Sequence, residues 1–516
     1  MLWCLNKKKD FKKIVLMKTS NLFISKWNNG KLIFLAFLIL HLLPLFSVDV
    51  LLTLDGSSHL YNAKLFNEIL SGNETLTEFY KINSELVPNY LGHLLLSFFL
   101  KISTPIIALK LLHVLYVIGL AVAFRNLVLA INPKAGLITI IIFPFIYSGL
   151  FIAGFYNFSI AIIFLFITIR YWIVNIERND FTFYFSLTVL FFLTYLSHSF
   201  TFAISCFSIG IITIMKVIES NKFYEIYHYG KKAFIPALPS IVLSVLFVLK
   251  REAEYGYINT VDLWKNAIGM WCFSVFDADE KFLPLWFSLV VLSLVIFIKT
   301  TGRNKQGFAF LYLTIISFIL YFYMPDSVGY ASVFSQRILL IGLLFWALWI
   351  ATQNHNKYLV WGSVVILFLF QHKRLNDMSE WSIHRNNKAK EMLEVAVLIP
   401  KNSIIKPIRK LAIWDYYHLS NLLGAVKPQV ILENYEATHD YFPIEWKINL
   451  EAKIKKNDNC YFETVIDNKT YKVDYLVVFG HGETDIACEK QQIKYAEQNF
   501  EKTYKSDFIT VYKVVD

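Results

Sequence analysis

Apolar residues dominate eleven stretches of the chain, and most polar residues lie between these stretches. The apolar stretches are residues 32–53, 104–126, 135–151, 153–172, 181–197, 199–217, 232–250, 283–299, 306–323, 336–352 and 356–371. Most of them are long enough to cross a hydrocarbon core of about 30 Å as a helix. Because a helix satisfies its backbone hydrogen bonds internally, the pattern predicts an all-α polytopic membrane bundle of about eleven transmembrane helices.

Two further regions have a different pattern. Residues 90–100 are apolar but too few for a comfortable span, which favours an interfacial or re-entrant helix. In the tail, residues 475–479 are typical of a buried strand and residues 508–514 alternate as a final strand, while residues 387–397 are helix-like. The tail is therefore predicted to form a small C-terminal α/β domain.

The distribution of charge predicts the orientation. The net charge is +11, and six lysines lie within the first eighteen residues, which fits the excess of positive charge on the cytoplasmic side of membrane proteins and does not indicate nucleic-acid binding. Later basic residues fall in alternate loops when eleven spans are counted. We expect a basic cytoplasmic N-terminus (1–30), a transmembrane domain (31–371) with extracytoplasmic loops at 54–103 and 251–282, and an extracytoplasmic domain (372–516). The run at 32–53 has no small-residue cleavage site and is expected to be a retained helix.

The first extracytoplasmic loop carries the strongest candidate chemistry. Asp55 follows the first apolar run directly, and His59 comes four residues later. Titratable groups at a membrane boundary are costly and are often functional, so Asp55 is a candidate general base with His59 beside it. The alternative is structural, because Asp55, Ser57 or Ser58 could cap a helix over residues 57–70.

Further candidate residues lie at the same end of the predicted spans. The amide of Asn157 could bond either a substrate hydroxyl or a neighbouring helix, and His198 could serve a site or a structural turn. Gln336 and Arg337 open the tenth span. An arginine at this end needs an anionic partner, either a phosphate or a carboxylate such as Asp326.

Other features of the sequence leave alternatives open. Asp277, Asp279 and Glu280 could hold a divalent cation or form a solvated loop, so no metal ligand is assigned and the cofactor stays unknown. Cys460 and Cys488 could form a disulfide or stay unpaired. The chain contains no phosphate-cradling glycine loop, no helical zinc pair and no nucleophile elbow.

Over residues 32–370 the chain resembles the GT-C superfamily of membrane glycosyltransferases, which includes mannosyltransferases and arabinosyltransferases. The shared features are a first span that ends in Asp55-x-x-x-His59, a long first loop with an amphipathic helix, and the segments 88–91, 108–112, 154–158, His198 and Gln336-Arg337. Two departures concern the first loops. The family's Pro-Pro-Leu is here Pro88-Asn-Tyr, and the tight turn at 149–154 lacks the second carboxylate of several relatives.

The resemblance implies a sugar transferase in the bacterial inner membrane. The donor would be a polyprenyl-phosphate-linked sugar with its phosphate near Arg337, and the acceptor would be a hydroxyl of a lipid, glycan or protein. Asp55 would act as the base, while His59 and His198 would bind or polarise the substrates. A polytopic transporter or flippase and a non-catalytic assembly protein are the alternatives. Clustering of Asp55, His198 and Arg337 around one cavity would favour the enzyme.

Overall fold

The computed structural model describes residues 30–221, 223–250, 254–273, 282–298, 304–329, 332–410, 416–447, 463–466, 469–484 and 486–514. The α-helices are α1 (Lys31–Phe46), α2 (Gly56–Leu70), α3 (Glu74–Phe79), α4 (Leu91–Ile102), α5 (Pro105–Ile131), α6 (Phe143–Ile146), α7 (Gly149–Ile152), α8 (Tyr156–Asn175), α9 (Phe181–Ser197), α10 (Ser199–Ser220), α11 (Glu225–Leu249), α12 (Thr260–Ile268), α13 (Leu283–Ile298), α14 (Phe308–Tyr323), α15 (Phe334–Thr352), α16 (Lys357–Leu398), α17 (Asn421–Val426) and α18 (Ala487–Asn499).

Short strands lie in the loops and in the C-terminal region. They are β1 (Tyr80–Ile82), β2 (Tyr255–Gly256), β3 (Ser327–Val328), β4 (Ile404–Arg409), β5 (Val430–Ile431), β6 (Ile444–Trp446), β7 (Glu463–Ile466), β8 (Lys469–Lys472), β9 (Tyr475–Phe479), β10 (Glu501–Lys505) and β11 (Ile509–Lys513).

The predicted all-α bundle with a small C-terminal α/β domain is confirmed. Helices α5, α8, α10, α11 and α15 are long and apolar enough to cross a membrane by length and composition. Shorter apolar helices of 10–17 residues occupy most of the other predicted runs. The helix expected near residues 90–100 is α4, whose twelve residues are too few to span alone.

The first apolar run is helical over a shorter length than predicted. Helix α1 ends at Phe46, shortly after Pro44. The Ser47 N–H donates the last helical hydrogen bond to the Leu43 carbonyl, and the Ser47 hydroxyl donates to the Pro44 carbonyl. Residues 48 and 50–53 follow as buried, non-helical chain. This segment leads directly to Asp55 and the start of α2, so the first loop begins deep in packed protein.

The third apolar run is a broken helix. A 3₁₀ turn over Ile138–Ile142 leads into α6 and then α7. The break follows from Pro144, which lacks a backbone N–H, and from the β-branched run before it. The chain then turns sharply at Gly154 before α8 begins. This turn contacts the first loop.

The last apolar run is the start of one long helix. Helix α16 contains 42 residues, about 60 Å at 1.5 Å per residue, and includes the segment 387–397. It ends at Leu398 because Ile399 precedes Pro400, and a residue before proline avoids the helical region. No chain break therefore separates the bundle from the C-terminal domain at residue 371.

The C-terminal domain is built on a five-stranded sheet in the order β10-β11-β9-β4-β5. Strand β4 is parallel to β5 and β9, whereas β11 is antiparallel to β9 and β10. The predicted strands at 475–479 and 508–514 are β9 and β11. Helix α18 closes one face through Ala496, which packs on Leu476 and Val478.

The C-terminal domain is packed against the first loop. Strand β6 pairs with β1 in the antiparallel register Tyr80↔Trp446 and Ile82↔Ile444, and the Trp446 ring stacks on Tyr80 at 4.2 Å. On α2, the Tyr61 hydroxyl donates to the Gln429 carbonyl at 2.7 Å. These contacts bring loops of the C-terminal domain to the beginning of α2, where Asp55 lies.

Candidate active site between the first loop and the C-terminal domain

Asp55 occupies the residue before α2, but its side chain does not cap the helix. Its carboxylate is therefore not used to cap the helix, which favours the functional interpretation of this residue. Ser57 and Ser58 do not cap either, since their buried hydroxyls have no hydrogen-bond partner. Helix α2 begins here for another reason: the preceding chain is fixed by Leu54 N–H and Asp55 N–H, which donate to the carbonyls of Ile152 and Ala153 at 3.1 and 3.2 Å.

Gly154 lies directly against the backbone of Asp55. Its φ of +89° is in the left-handed region that side chains rarely adopt. A Cβ added at this position would be 2.7 Å from the Asp55 nitrogen and 2.8 Å from the Asp55 Cβ. The turn after α7 therefore needs glycine both for its conformation and for its close approach to Asp55.

The C-terminal domain completes the surroundings of Asp55. His418 Nε2 lies 3.8 Å from Asp55 Oδ1, and the His418 ring stacks on Tyr435 at 4.0 Å. Burial raises the pKa of Asp55 to about 7, while the charge of His59 and a hydrogen bond from Tyr435 oppose the rise. A carboxyl with a pKa near neutrality is suited to general base catalysis. Burial lowers the pKa of His418 to about 4, so this imidazole is neutral near pH 7.

His59 and His93 converge on the buried carboxylate of Glu436. Glu436 Oε1 is 2.8 Å from His59 Nδ1, and Oε2 is 2.8 Å from His93 Nε2. Burial disfavours the charged form of Glu436, but the two imidazoles outweigh it and lower its pKa to about 2. The same carboxylate raises the pKa of His59 against the effect of burial. His59 is thus tied to the C-terminal domain, adjacent to Asp55.

Asn157 holds two helices together. Its Oδ1 accepts a hydrogen bond from Gly92 N–H at 2.7 Å, in the first turn of α4. Of the two interpretations of this amide, the bond to a neighbouring helix is the one present. Asn157 therefore fixes α4, and with it His93, against α8.

His198 lies between α9 and α10, at the turn where the sequence predicts it. Its ring contacts Phe158 at 5.3 Å and Phe200 at 6.4 Å, and its Nδ1 is 3.4 Å from the Thr201 hydroxyl. It interacts electrostatically with Arg337. His198 thus belongs to the Arg337 side of the site.

Arg337 lies among three aromatic rings at the start of α15. Its guanidinium is 4.9 Å from the Phe155 centroid, 5.4 Å from Phe334 and 5.8 Å from Phe158. Among the described residues we find no hydrogen bond or ion pair to this guanidinium, and its Nε is buried without a partner. Asp326 Oδ1 instead accepts a hydrogen bond from the backbone N–H of Ser335 at 3.0 Å. The guanidinium is therefore free to bind an anion.

The turn at 154–155 connects the arginine to the aspartate. Gly154 packs on Asp55, and the next residue, Phe155, packs on Arg337. Tyr441 interacts electrostatically with both charged residues. Asp55 and Arg337 therefore flank one turn of the chain. Gln336 precedes Arg337 on α15, and the described residues give its side chain no hydrogen bond.

An apolar groove of about 300 Å³ lies between α9, α10 and α11. Its wall includes Phe191, Ile209, Gly210, Ala233 and Phe234. Helix α10 begins next to His198, so the groove lies along the same helix as the Arg337 side of the site. Its lining is suited to a hydrocarbon chain.

Sequence reasoning missed the residues that the C-terminal domain supplies. His418, Tyr435 and Glu436 lie in polar loops more than 350 residues after Asp55, and no spacing links them to it. His93 had a weak signal, because a histidine within a short apolar helix is unusual. The acidic cluster at 277–280 lies outside the described residues. Cys488 is disulfide-bonded, and Cys460 lies outside the described residues.

No protein-family model matches the chain, and no curated protein matches it. Among solved structures, it is similar to "Crystal Structure of ArnT from Cupriavidus metallidurans bound to Undecaprenyl phosphate", with a TM-score of 0.46 and 10% identity, over 93% of this chain and 97% of that one. At this level of similarity the functional conclusion depends on the residues of this chain.

Proposed function

We propose that this chain is a membrane glycosyltransferase that moves a sugar from a polyprenyl-phosphate donor to an extracytoplasmic acceptor hydroxyl. The observation that carries the proposal is the pair of Asp55 and Arg337 on either side of the turn at 154–155. Asp55 is buried, does not cap its helix and has a raised pKa. Arg337 is an unpaired guanidinium among aromatic rings. The resemblance of residues 32–370 to the GT-C superfamily favours the same reaction.

The reaction assigns one task to each of these residues. Asp55 takes the proton of the acceptor hydroxyl, and the oxygen attacks the anomeric carbon. The bond from that carbon to the phosphate oxygen breaks through an oxocarbenium-like transition state. The polyprenyl phosphate leaves with the electron pair, and Arg337 stabilises its charge through charge-assisted hydrogen bonds. A base of this kind contributes about 10²–10⁴-fold to the rate.

The surroundings of the two residues are suited to these tasks. A carboxyl with a pKa near 7 accepts a proton in the transition state and returns it to water afterwards. Tyr435 and His418 approach Asp55 from the C-terminal domain, which limits the directions from which an acceptor reaches it. The apolar groove along α10 offers room for part of the polyprenyl chain.

The alternatives account for fewer of these observations. A transporter that moves ions or protons usually carries titratable groups within its spans, and His41 in α1 and His113 in α5 are buried groups of this kind. The cluster of Asp55, His59, His93 and Glu436, however, lies at the end of the bundle, against the C-terminal domain. An assembly protein has no need of an unpaired buried guanidinium and a carboxylate that does not cap its helix on either side of one turn.

The test is sugar transfer from polyprenyl-phosphate sugars by membranes that contain the wild type or Asp55→Asn. The asparagine keeps the shape of the side chain but cannot take the proton, so we expect transfer to fall by about 10²–10⁴-fold. Asp49→Asn is the matched control, since Asp49 is exposed and pairs with Lys390; it should retain activity. Equal transfer by the Asp55 variant would remove this residue from the chemistry. No transfer by the wild type across a broad donor panel would overturn the glycosyltransferase proposal.

A further inference from the structure

Three chain segments bring the side chains of His59, His93 and Glu436 to one buried point. His59 is on α2, His93 is on α4, and Glu436 belongs to the C-terminal domain. Their facing atoms lie close together: the two imidazole nitrogens are 3.2 Å apart, and each is 2.8 Å from a different oxygen of the carboxylate. Among the described residues, these three form a group of potential metal ligands: one nitrogen or carboxylate oxygen from each lies within 4.8 Å of the other two.

The hydrogen bonds on the far side of each ring fix the position of the ring proton. His59 Nε2 lies 2.9 Å from the Gly154 carbonyl oxygen, and His93 Nδ1 lies 3.1 Å from the Asn89 carbonyl oxygen. A carbonyl oxygen only accepts, so these two nitrogens carry the hydrogens. In the neutral imidazoles, the nitrogens that face Glu436 therefore carry lone pairs.

A cation at the centre of this arrangement, whether protons on the rings or a metal ion, offsets the repulsion among the three groups. Two lone pairs and a carboxylate repel one another at 2.8–3.2 Å in this buried site. One added proton relieves only part of the repulsion, because one imidazole nitrogen still faces a carboxylate oxygen without a hydrogen between them. Two added protons place two imidazolium rings in contact beside a single negative charge. A divalent metal ion interacts favourably with all three groups at once.

We propose that His59, His93 and Glu436 bind a zinc-class divalent cation that links α2 and α4 to the C-terminal domain. Two histidines and one glutamate are a donor set that zinc uses in proteins, with a fourth position left for water. Tetrahedral ligands at 2.0–2.2 Å are about 3.3–3.6 Å apart. The two imidazole nitrogens, at 3.2 Å, are already close to this spacing, and each faces one carboxylate oxygen at 2.8 Å.

Surrounding contacts hold the three ligands in place. The carbonyls of Gly154 and Asn89 orient the rings as the outer partners of metal-binding histidines do. Asn62 and Asn434 exchange two hydrogen bonds of 2.9 and 3.0 Å, which fixes the loop before Glu436 to α2. The Phe442 ring packs on both imidazoles, at 6.1 and 5.6 Å. This site does not include Asp55, and it stands whether or not the chain transfers sugar.

The first experiment measures metal binding by the full-length protein in detergent, without any sugar donor. The protein is treated with a chelator, dialysed against ZnCl₂ or CoCl₂, and its bound metal is measured by mass spectrometry. We expect about one zinc per chain and a visible absorption band of tetrahedral Co²⁺. Failure of the wild type to retain either metal would overturn the proposal, even if sugar transfer is observed.

Variants then assign the ligands. Glu436→Gln and His93→Gln should each weaken zinc binding by at least about tenfold, as loss of a metal-site residue usually does. Glu433→Gln is the matched control for the glutamate, because Glu433 lies in the same loop and accepts a hydrogen bond from Ser420. His228→Ala is the control for the histidine, because it removes an exposed histidine elsewhere in the chain. Both controls should bind like the wild type. Equal zinc binding by Glu436→Gln and the wild type would contradict the assignment.

A second readout covers variants that fold poorly. The melting temperature of the wild type should rise when ZnCl₂ is restored after chelation, because a ligand that binds only the folded state stabilises it. Glu433→Gln should show the same rise. If zinc does not change the melting temperature of the wild type and the wild type retains no metal, the proposed site is contradicted, and no variant is needed to show this.

Discussion

Substitution of Gly154 by alanine separates two costs that the structure assigns to this position. The first is conformational, since Gly154 has φ +89° and a left-handed alanine costs about 1–2 kcal/mol. The second is steric, since the new Cβ would be 2.7 Å from the Asp55 nitrogen and 2.8 Å from its Cβ. Ordinary carbon contacts are about 3.5–4.0 Å, so Asp55 must move by roughly 0.7–1.3 Å.

That displacement should affect the reaction more than the fold. A shift of about 1 Å in a reacting group costs on the order of 10²-fold in rate, so Gly154→Ala should transfer sugar about 10²-fold more slowly than the wild type. Gly72→Ala is the matched control: Gly72 has φ +81°, but a Cβ there meets nothing within 4 Å. Both variants should lower the melting temperature, and only Gly154→Ala should lose activity. If the Gly154→Ala variant folds and transfers sugar at the wild-type rate, this turn does not position Asp55.

Two further predictions concern the donor side of the site. Arg337→Gln should raise the KM for the polyprenyl-phosphate sugar roughly 10- to 100-fold, since hydrogen bonds to charged groups contribute about 1.5–3 kcal/mol. Asp326→Asn is the control and should leave that KM near the wild-type value in steady-state kinetics. A higher KM for Asp326→Asn than for Arg337→Gln would indicate that the arginine serves only a salt bridge. Gly210→Leu should also raise the KM, because its side chain would extend into the groove and a Cβ there meets nothing within 4 Å. Gly362→Leu, equally unobstructed on α16, should not; equal KM values for the two leucine variants would exclude the groove as a lipid site.

The helical bundle could be predicted from sequence because its signal is local. A run such as residues 199–217 is apolar throughout, and the helix that it predicts is present as α10. The ends of the elements were harder to predict. Pro44 and the turn after it shortened α1, and the stretch 357–398, which contains no proline, extended α16 far into the tail. Hydropathy reports burial in apolar surroundings, not where backbone hydrogen bonds stop.

The candidate site could be predicted only in part. Asp55 and His59 share a helix start, so their proximity follows from sequence spacing alone. Their partners His418, Tyr435 and Glu436 come from a domain whose docking depends on distant pairings, such as Tyr80 with Trp446. For Asn157 the sequence left two interpretations open, and the structure shows its oxygen accepting a hydrogen bond from the backbone of α4; a role in substrate binding stays a prediction.

The C-terminal domain is therefore part of the candidate site and not an appendage to the bundle. Glu436 pairs with His59, while Tyr435 and His418 enclose Asp55. A buried carboxylate of this kind is stable only while its partners stay in place, so undocking the domain would expose the Asp55 carboxylate to water and lower its pKa toward that of an ordinary aspartate. It follows that the pKa of Asp55 depends on the docked domain. On the proposed mechanism, a chain that lacks the domain would keep the aspartate but lose its strength as a base.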